Sequence, residues 1–257
     1  MKAWLSIAAA ATLASFGLVI GSAPTCAAEI KVLSSNAMTD VMASLVPEFE
    51  RTTGHKVVAV TEPTTAIMNR IKAGESADVI ILIRQSVDEL TKTGKVVAGS
   101  AADLATTSLG IAVRSGAPKP DIGTVEKFKE AMLKANSVAV SEVGASGIHF
   151  RRALERLGIA DVMKPKLKLL PGAARTAELV AKGDADVAVQ MVSELQPVSG
   201  VEIVSPLPGD LHLQILLTAA LDASAKEPDA GSALIKFLAS PAASPVLRKK
   251  GMEGVQF

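Results

Sequence analysis

Four stretches of the chain share one pattern: Ser34-Ser35-Asn36, Thr61-Glu62-Pro63-Thr64-Thr65, Glu142-Val143-Gly144-Ala145-Ser146-Gly147 and Pro171-Gly172-Ala173-Ala174. Each follows an apolar run and precedes residues at helical spacing. In parallel α/β sheets such loops lie at the carboxyl ends of strands, where crevices form and ligands bind. The helix that follows offers free backbone N–H groups and a partial positive charge, so a small anion can be held there without a cationic side chain. The hydroxyls of Ser34, Ser35, Thr64, Thr65 and Ser146 would add donors. Taken singly, each loop also reads as an ordinary helix N-cap, which contributes about 0.5–2 kcal/mol of stability without any ligand. Four of them in one exported α/β chain favour an anion site.

Other groups with chemical capacity are sparse. Arg84 follows a buried strand, so it either enters a cleft, where it would suit a carboxylate or pair with Glu62, or is a solvated surface arginine. Arg151 and Arg152 stand early in a helix, where the dipole disfavours a cation, which leaves a cleft role open for one of them. His55, His149 and His212 are far apart and show no metal-ligand spacing. Gly144-Ala145-Ser146-Gly147-Ile148 lacks the second glycine of a nucleophile elbow, and no phosphate-binding loop or dinucleotide fingerprint appears. Neither a metal nor a cofactor is expected. A non-enzymatic binding role is the first expectation, and an envelope enzyme using Ser146 or His149 is the alternative.

Strand and helix signals alternate almost throughout. Strands are predicted at residues 30–33, 56–60, 79–83, 109–113, 138–140, 168–170, 187–191 and within 211–221, with helices between them and two at the end of the chain. Pro47 is expected to kink or restart the first helix. Residues 71–80 and 180–189 echo each other, each running through a glycine (Gly74, Gly183) that ends a helix in the left-handed conformation, then an Asp-Val step into an apolar strand. This alternation predicts an α/β fold with mainly parallel sheets and right-handed crossovers, and the repeated ending predicts two lobes facing a cleft.

The first 28 residues carry one cation, Lys2, no acid, and a long small and apolar run before Ala27-Ala28, which reads as an export signal cleaved after Ala28. A lipidated Cys26 is a poorer reading. Of 27 basic residues only Lys2 lies in that segment, so the mature chain balances 26 basic against 26 acidic residues. Zero net charge gives no global attraction to nucleic acid or to an acidic membrane surface. The mature chain has no cysteine, tryptophan or tyrosine, which excludes disulfides and the aromatic platforms that sugars favour. A soluble periplasmic monomer is expected.

Several motifs together resemble the periplasmic molybdate-binding proteins of ABC importers. They are Ser34-Ser35-Asn36-Ala37-Met38; Pro63-Thr64-Thr65 with Arg70-Ile71, Gly74 and Ala77-Asp78-Val79; Ser146-Gly147-Ile148 with Ala153-Leu154 and Leu157-Gly158; and Phe237-Leu238 with Ser240-Pro241, Arg248 and Gly251. The resemblance runs through nearly all of the mature chain. It implies a periplasmic-binding-protein fold of two α/β lobes that closes on a small anion and delivers it to a membrane permease. It assigns residues 29–110 and 212–257 to a discontinuous first lobe and 111–211 to the second.

By position, Ser34 or Ser35 matches the first-loop hydroxyl of that family and Thr64 or Thr65 the second. Ser146, with Gly147, and Ala173 or Ala174 match the backbone donors of the other lobe. Asn36 joins the first loop, and Met191 stands beside Gln190 where the family commonly carries a tyrosine. Two ligand readings follow. A tetrahedral oxyanion is what the resemblance implies, while a small organic anion fits Glu62, Arg84 and the missing tyrosine.

Overall fold

The computed structural model describes residues 27–171 and 175–255. Residues 1–26 of the expected export signal, Cys26 among them, and the expected contacts Ala173 and Ala174 lie outside the described residues. In chain order the elements are β1 (Glu29–Ser35), α1 (Thr39–Thr53), β2 (Lys56–Glu62), α2 (Thr64–Lys72), β3 (Val79–Ile83), α3 (Arg84–Lys92) and β4 (Ala102–Arg114). They continue with α4 (Val125–Lys134), β5 (Val138–Ser141), α5 (Ala145–Arg156), α6 (Ala160–Met163), β6 (Leu167–Leu170), α7 (Thr176–Lys182), β7 (Val187–Met191) and α8 (Val192–Leu195). The last are β8 (Val201–Pro206), β9 (Gln214–Leu221), α9 (Pro228–Leu238), α10 (Ser244–Lys249) and β10 (Glu253–Gly254).

The strands form two mixed sheets joined through β4. One has the order β2-β1-β3-β9-β4 with β10 on β4, and the other has β6-β5-β7-β4 with β8 on β4. In each sheet the outer strands are parallel (β2-β1-β3 and β6-β5-β7), and pairing turns antiparallel where the chain crosses between lobes. Residues 102–108 of β4 pair with β9, while its residues 109–114 pair with β7 and β8. The strand therefore changes sheet between Ser108 and Leu109. Each sheet is covered on both faces by helices with separate apolar clusters, one pair around Ile81 and Ile80 and the other around Val140 and Ala139. Alternating side chains of a strand point to opposite faces, so adjacent residues feed different clusters.

The two glycines of the echo are left-handed as expected, Gly74 with φ +93° and Gly183 with φ +83°. The aspartates that follow tie each lobe together. Asp78 is buried and accepts from the backbone of Lys31 at 2.8 Å, Lys226 at 2.7 Å and Glu227 at 2.9 Å. Asp186 accepts from the backbone of Asn136 at 2.8 Å. The echo continues further than its ten residues. Ile83 (φ −62°, ψ 143°) and Met191 (φ −61°, ψ 140°) end β3 and β7 in nearly the same conformation and start α3 and α8.

The first helix differs from expectation, since α1 runs through Pro47 without a break. Pro47 removes one hydrogen bond, to the carbonyl of Ala43. Both residues are exposed, so water can take that carbonyl, while Val41, Met42, Leu45 and Phe49 hold the opposite face in the core. Strand β4 also begins seven residues before the expected 109, because Asp103, Thr106, Thr107 and Ser108 interrupt the apolar pattern there. Asp103 is accommodated by a hydrogen bond from the Thr218 hydroxyl at 2.7 Å.

Candidate functional site

The carboxyl ends of β1, β3, β5 and β7 converge on the cleft between the lobes. A small inner cavity of about 30 Å³ is lined by Ser35, Asn36, Pro63 and Thr64 from one side and Ser141, Gly144, Ala145 and Ser146 from the other. Gln190, Met191 and Glu194 form its floor, with Ile83 and Ile215 at its edge. That volume holds about two water molecules. Thr64, Ile83, Ala145 and Ile215 also line an outer chamber of about 510 Å³, which adds Thr65, Lys72, His149 and Arg152 among others.

Local folding positions each group. Ser35 ends β1, and its hydroxyl lies 3.4 Å from the backbone nitrogen of Ala37 and 3.4 Å from the hydroxyl of Thr64 at the start of α2. On the facing lobe, the Ser141 hydroxyl accepts from the Gly144 amide at 2.9 Å and fixes the turn into α5. The first intrahelical bond there is from Ile148 N to the Gly144 carbonyl at 3.0 Å, so the amides of Ala145, Ser146 and Gly147 have no acceptor inside the helix. A Cβ on Gly147 would sit 1.7 Å from the Ser141 carbonyl oxygen, so α5 approaches β5 this closely only because residue 147 is glycine. Gly147→Ala is expected to push the start of α5 off β5, to cost about 1–3 kcal/mol in denaturant unfolding, and to open the inner cavity.

The lobes touch across this cleft. Asn36 Nδ2 donates to Glu194 Oε1 at 2.7 Å, and the Arg175 guanidinium donates to Asp40. Gln190 Nε2 also donates to Glu194 Oε1, at 2.8 Å, while Gln190 Oε1 accepts from the amide and hydroxyl of Thr176 at 3.0 and 2.9 Å. Glu194 is 8% exposed. Burial pushes its carboxyl up to about 7, against the opposing pull of the Gln190 amide and of Arg175. A carboxyl that titrates near neutrality and lines a cavity can give and take protons there.

The expected contacts divide into three groups. Ser35, Asn36, Thr64, Ser146 and Met191 line the inner cavity, and Thr65 lines the outer chamber. Ser34 and Gly147 are buried beside the site without lining it, the Ser34 hydroxyl donating to the Ser35 carbonyl. Arg84 must be corrected. It turns away from the cleft at the first residue of α3 and pairs with Asp88 and Asp103, each at 2.9 Å, with 44% of its side chain exposed. Ile83 occupies the cavity edge instead. Glu62 pairs with Arg70 at 2.7 Å, not with Arg84; Arg70 also binds Glu75, which Lys31 pairs at 2.9 Å, so two cations balance the two carboxylates.

Sequence reasoning missed Glu194, Ser141 and the Arg175–Asp40 pair. The available signal was the strand-to-helix step after the second echo, where an acid stands on a four-residue helix otherwise made of Val192, Ser193 and Leu195. Arg152 lines the outer chamber and has no carboxylate partner among the described residues, whereas Arg151 donates to the carbonyls of Ser141 and Glu142. His149 Nε2 donates to the Leu211 carbonyl at 2.9 Å, and among the described residues no hydrogen bond joins it to Ser146. Among the described residues no group of three His, Cys, Asp or Glu could hold a metal ion, and no single helix is long and apolar enough to cross a membrane.

The family profile described as bacterial extracellular solute-binding protein matches residues 30–253. The chain belongs to that family. Its sequence is 34% identical over 254 residues to a protein named aconitate isomerase from a Pseudomonas species, covering 95% of this chain and 96% of that one. It is 28% identical over 228 residues to the molybdate-binding protein ModA of Azotobacter vinelandii, covering 88% and 90%. The solved structure of the periplasmic molybdate-binding protein of A. vinelandii superposes with a TM-score of 0.71 at 18% identity, over 88% of this chain and 100% of that one. The two-lobed binding-protein fold is therefore shared, and the sequence relatives include both binding proteins and one named as an enzyme.

Proposed function

We propose that this protein closes its cleft on a small unsaturated tricarboxylate of the aconitate class. The carrying observation is the two-part cavity. The inner part, with its hydroxyls and the start of α5, suits one carboxylate group, and the outer chamber holds the rest of the ligand beside Arg152 and His149. A compact tetrahedral oxyanion would fill only the inner part and has no use for the cation of the outer chamber. The similarity to a protein named aconitate isomerase supports the same ligand class.

In this reading the protein acts outside the cytoplasm as a monomer, with residues 29–110 and 212–257 forming one lobe and 111–211 the other. It presents its ligand to a membrane permease. Isomerisation of the bound ligand is the second reading, and the protonatable Glu194 in the cavity floor favours it.

Calorimetry with cis-aconitate, trans-aconitate, citrate, molybdate, tungstate and sulfate tests the proposal. Binding of an aconitate isomer in preference to the inorganic ions is expected. Arg152→Ala should weaken it about fivefold, the scale of about 1 kcal/mol for a partly screened charge pair. Tight molybdate binding with no response to either aconitate would overturn the reading.

A further inference from the structure

We propose that Glu194 is the acid–base residue of this cleft, exchanging a proton with the carbon skeleton of the bound tricarboxylate. This rests on the ligand reading above. Among the described residues that line the inner cavity, Glu194 is the one with an ionisable side chain, and its position is fixed from both lobes. Asn36 and Gln190 both donate to Oε1, and the backbone of Met191 also hydrogen-bonds the carboxyl. The charged groups acting on it are Arg175, ahead of α7, and Asp40 on α1, which neutralise each other in an ion pair. Burial, not a neighbouring charge, is the largest influence on its titration.

The step balances without any co-reactant. As a carboxylate, Glu194 removes a proton from the methylene carbon next to the ligand's double bond. The C–H bond breaks, Glu194 gains an O–H bond, and the electron pair spreads over the three-carbon allylic unit into the flanking carboxylates. The hydroxyls of Ser35 and Thr64 and the free amides of α5 lie where they can take up this developing negative charge. Return of the proton to the other end of the allylic unit restores the Glu194 carboxylate and moves the double bond. While the charge is delocalised the skeleton can change geometry, so the same step interconverts the two isomers.

The readout is deuterium uptake into the methylene group of cis- or trans-aconitate in D₂O, followed by NMR alongside calorimetric binding. The wild-type protein should catalyse uptake, and Glu194→Gln should slow it about 100-fold or more while still binding the ligand. The rate should rise with pH through about 7 and then level, because only the ionised carboxyl accepts a proton. That profile is measured on the wild type and needs no variant to fold. Binding without deuterium uptake, uptake by Glu194→Gln at the wild-type rate, or a flat profile from about pH 5 to 9 would each overturn the assignment. Failure to bind either isomer overturns the ligand reading itself, and this inference with it.

Discussion

Asp78→Ala is expected to lower the unfolding free energy by about 3–6 kcal/mol, measured by urea or thermal unfolding, with little change in the ligand affinity of the protein that remains folded. The Asp78 carboxylate is 4% exposed and satisfies three backbone N–H groups, those of Lys31 on β1 and of Lys226 and Glu227 just ahead of α9. Alanine leaves all three donors without their acceptor, at about 1–3 kcal/mol for each group left unsatisfied. These residues lie at the start of β3, and the ligand cleft is at the opposite end of the same strand. A loss of less than about 1 kcal/mol would show that water replaces the carboxylate and that Asp78 does not hold the first lobe to its closing helix.

Stability should also fall as pH rises from about 4.5 to above 7, and Glu194→Gln should remove most of that fall. The folded-state carboxyl is raised from its ordinary 4.5 to about 7, chiefly by burial. The folded protein therefore holds this proton more tightly than the unfolded chain does. The contribution is fully present below the unfolded pKa and is lost as pH passes through the folded one. A displacement of that size corresponds to about 3 kcal/mol. At about pH 9 the glutamine variant should unfold later than the wild type by that margin, while below about pH 4.5 the two should nearly coincide. Parallel stability curves for the two proteins would show that water or a cleft opening relieves the buried charge.

Much of the architecture is written in local pattern. The apolar strands at 79–83 and 187–191, the glycines that end the helices before them, and the hydroxyl-bearing loops are each properties of a few neighbouring residues, and the structure has them where periodicity places them. Ser35, Thr64 and Ser146 were legible for the same reason, since a strand end followed by a helix start aims its loop at the crevice. Pro47 and the first half of β4 were not. Whether a helix tolerates proline, or a strand tolerates Asp103, depends on which side faces water and on partners such as Thr218, far along the chain.

Arg84 and Glu194 mark the limit most clearly. Each stands close after one of the two echo strands, and sequence alone offers Arg84 as a candidate contact while passing over Glu194. The tertiary structure turns Arg84 away from the cleft, because the first residue of α3 projects toward Asp88 and Asp103. Glu194 lies in the third position of α8 and is brought against Asn36, 158 residues away, when the lobes meet. The chain by itself thus determined two α/β lobes with hydroxyl-bearing loops at the helix starts, since strand periodicity, helix ends and loop composition are local. Only the packing of one lobe on the other decided which charge is buried in the cleft, because burial and the proton affinity that follows from it depend on neighbours supplied by distant parts of the chain.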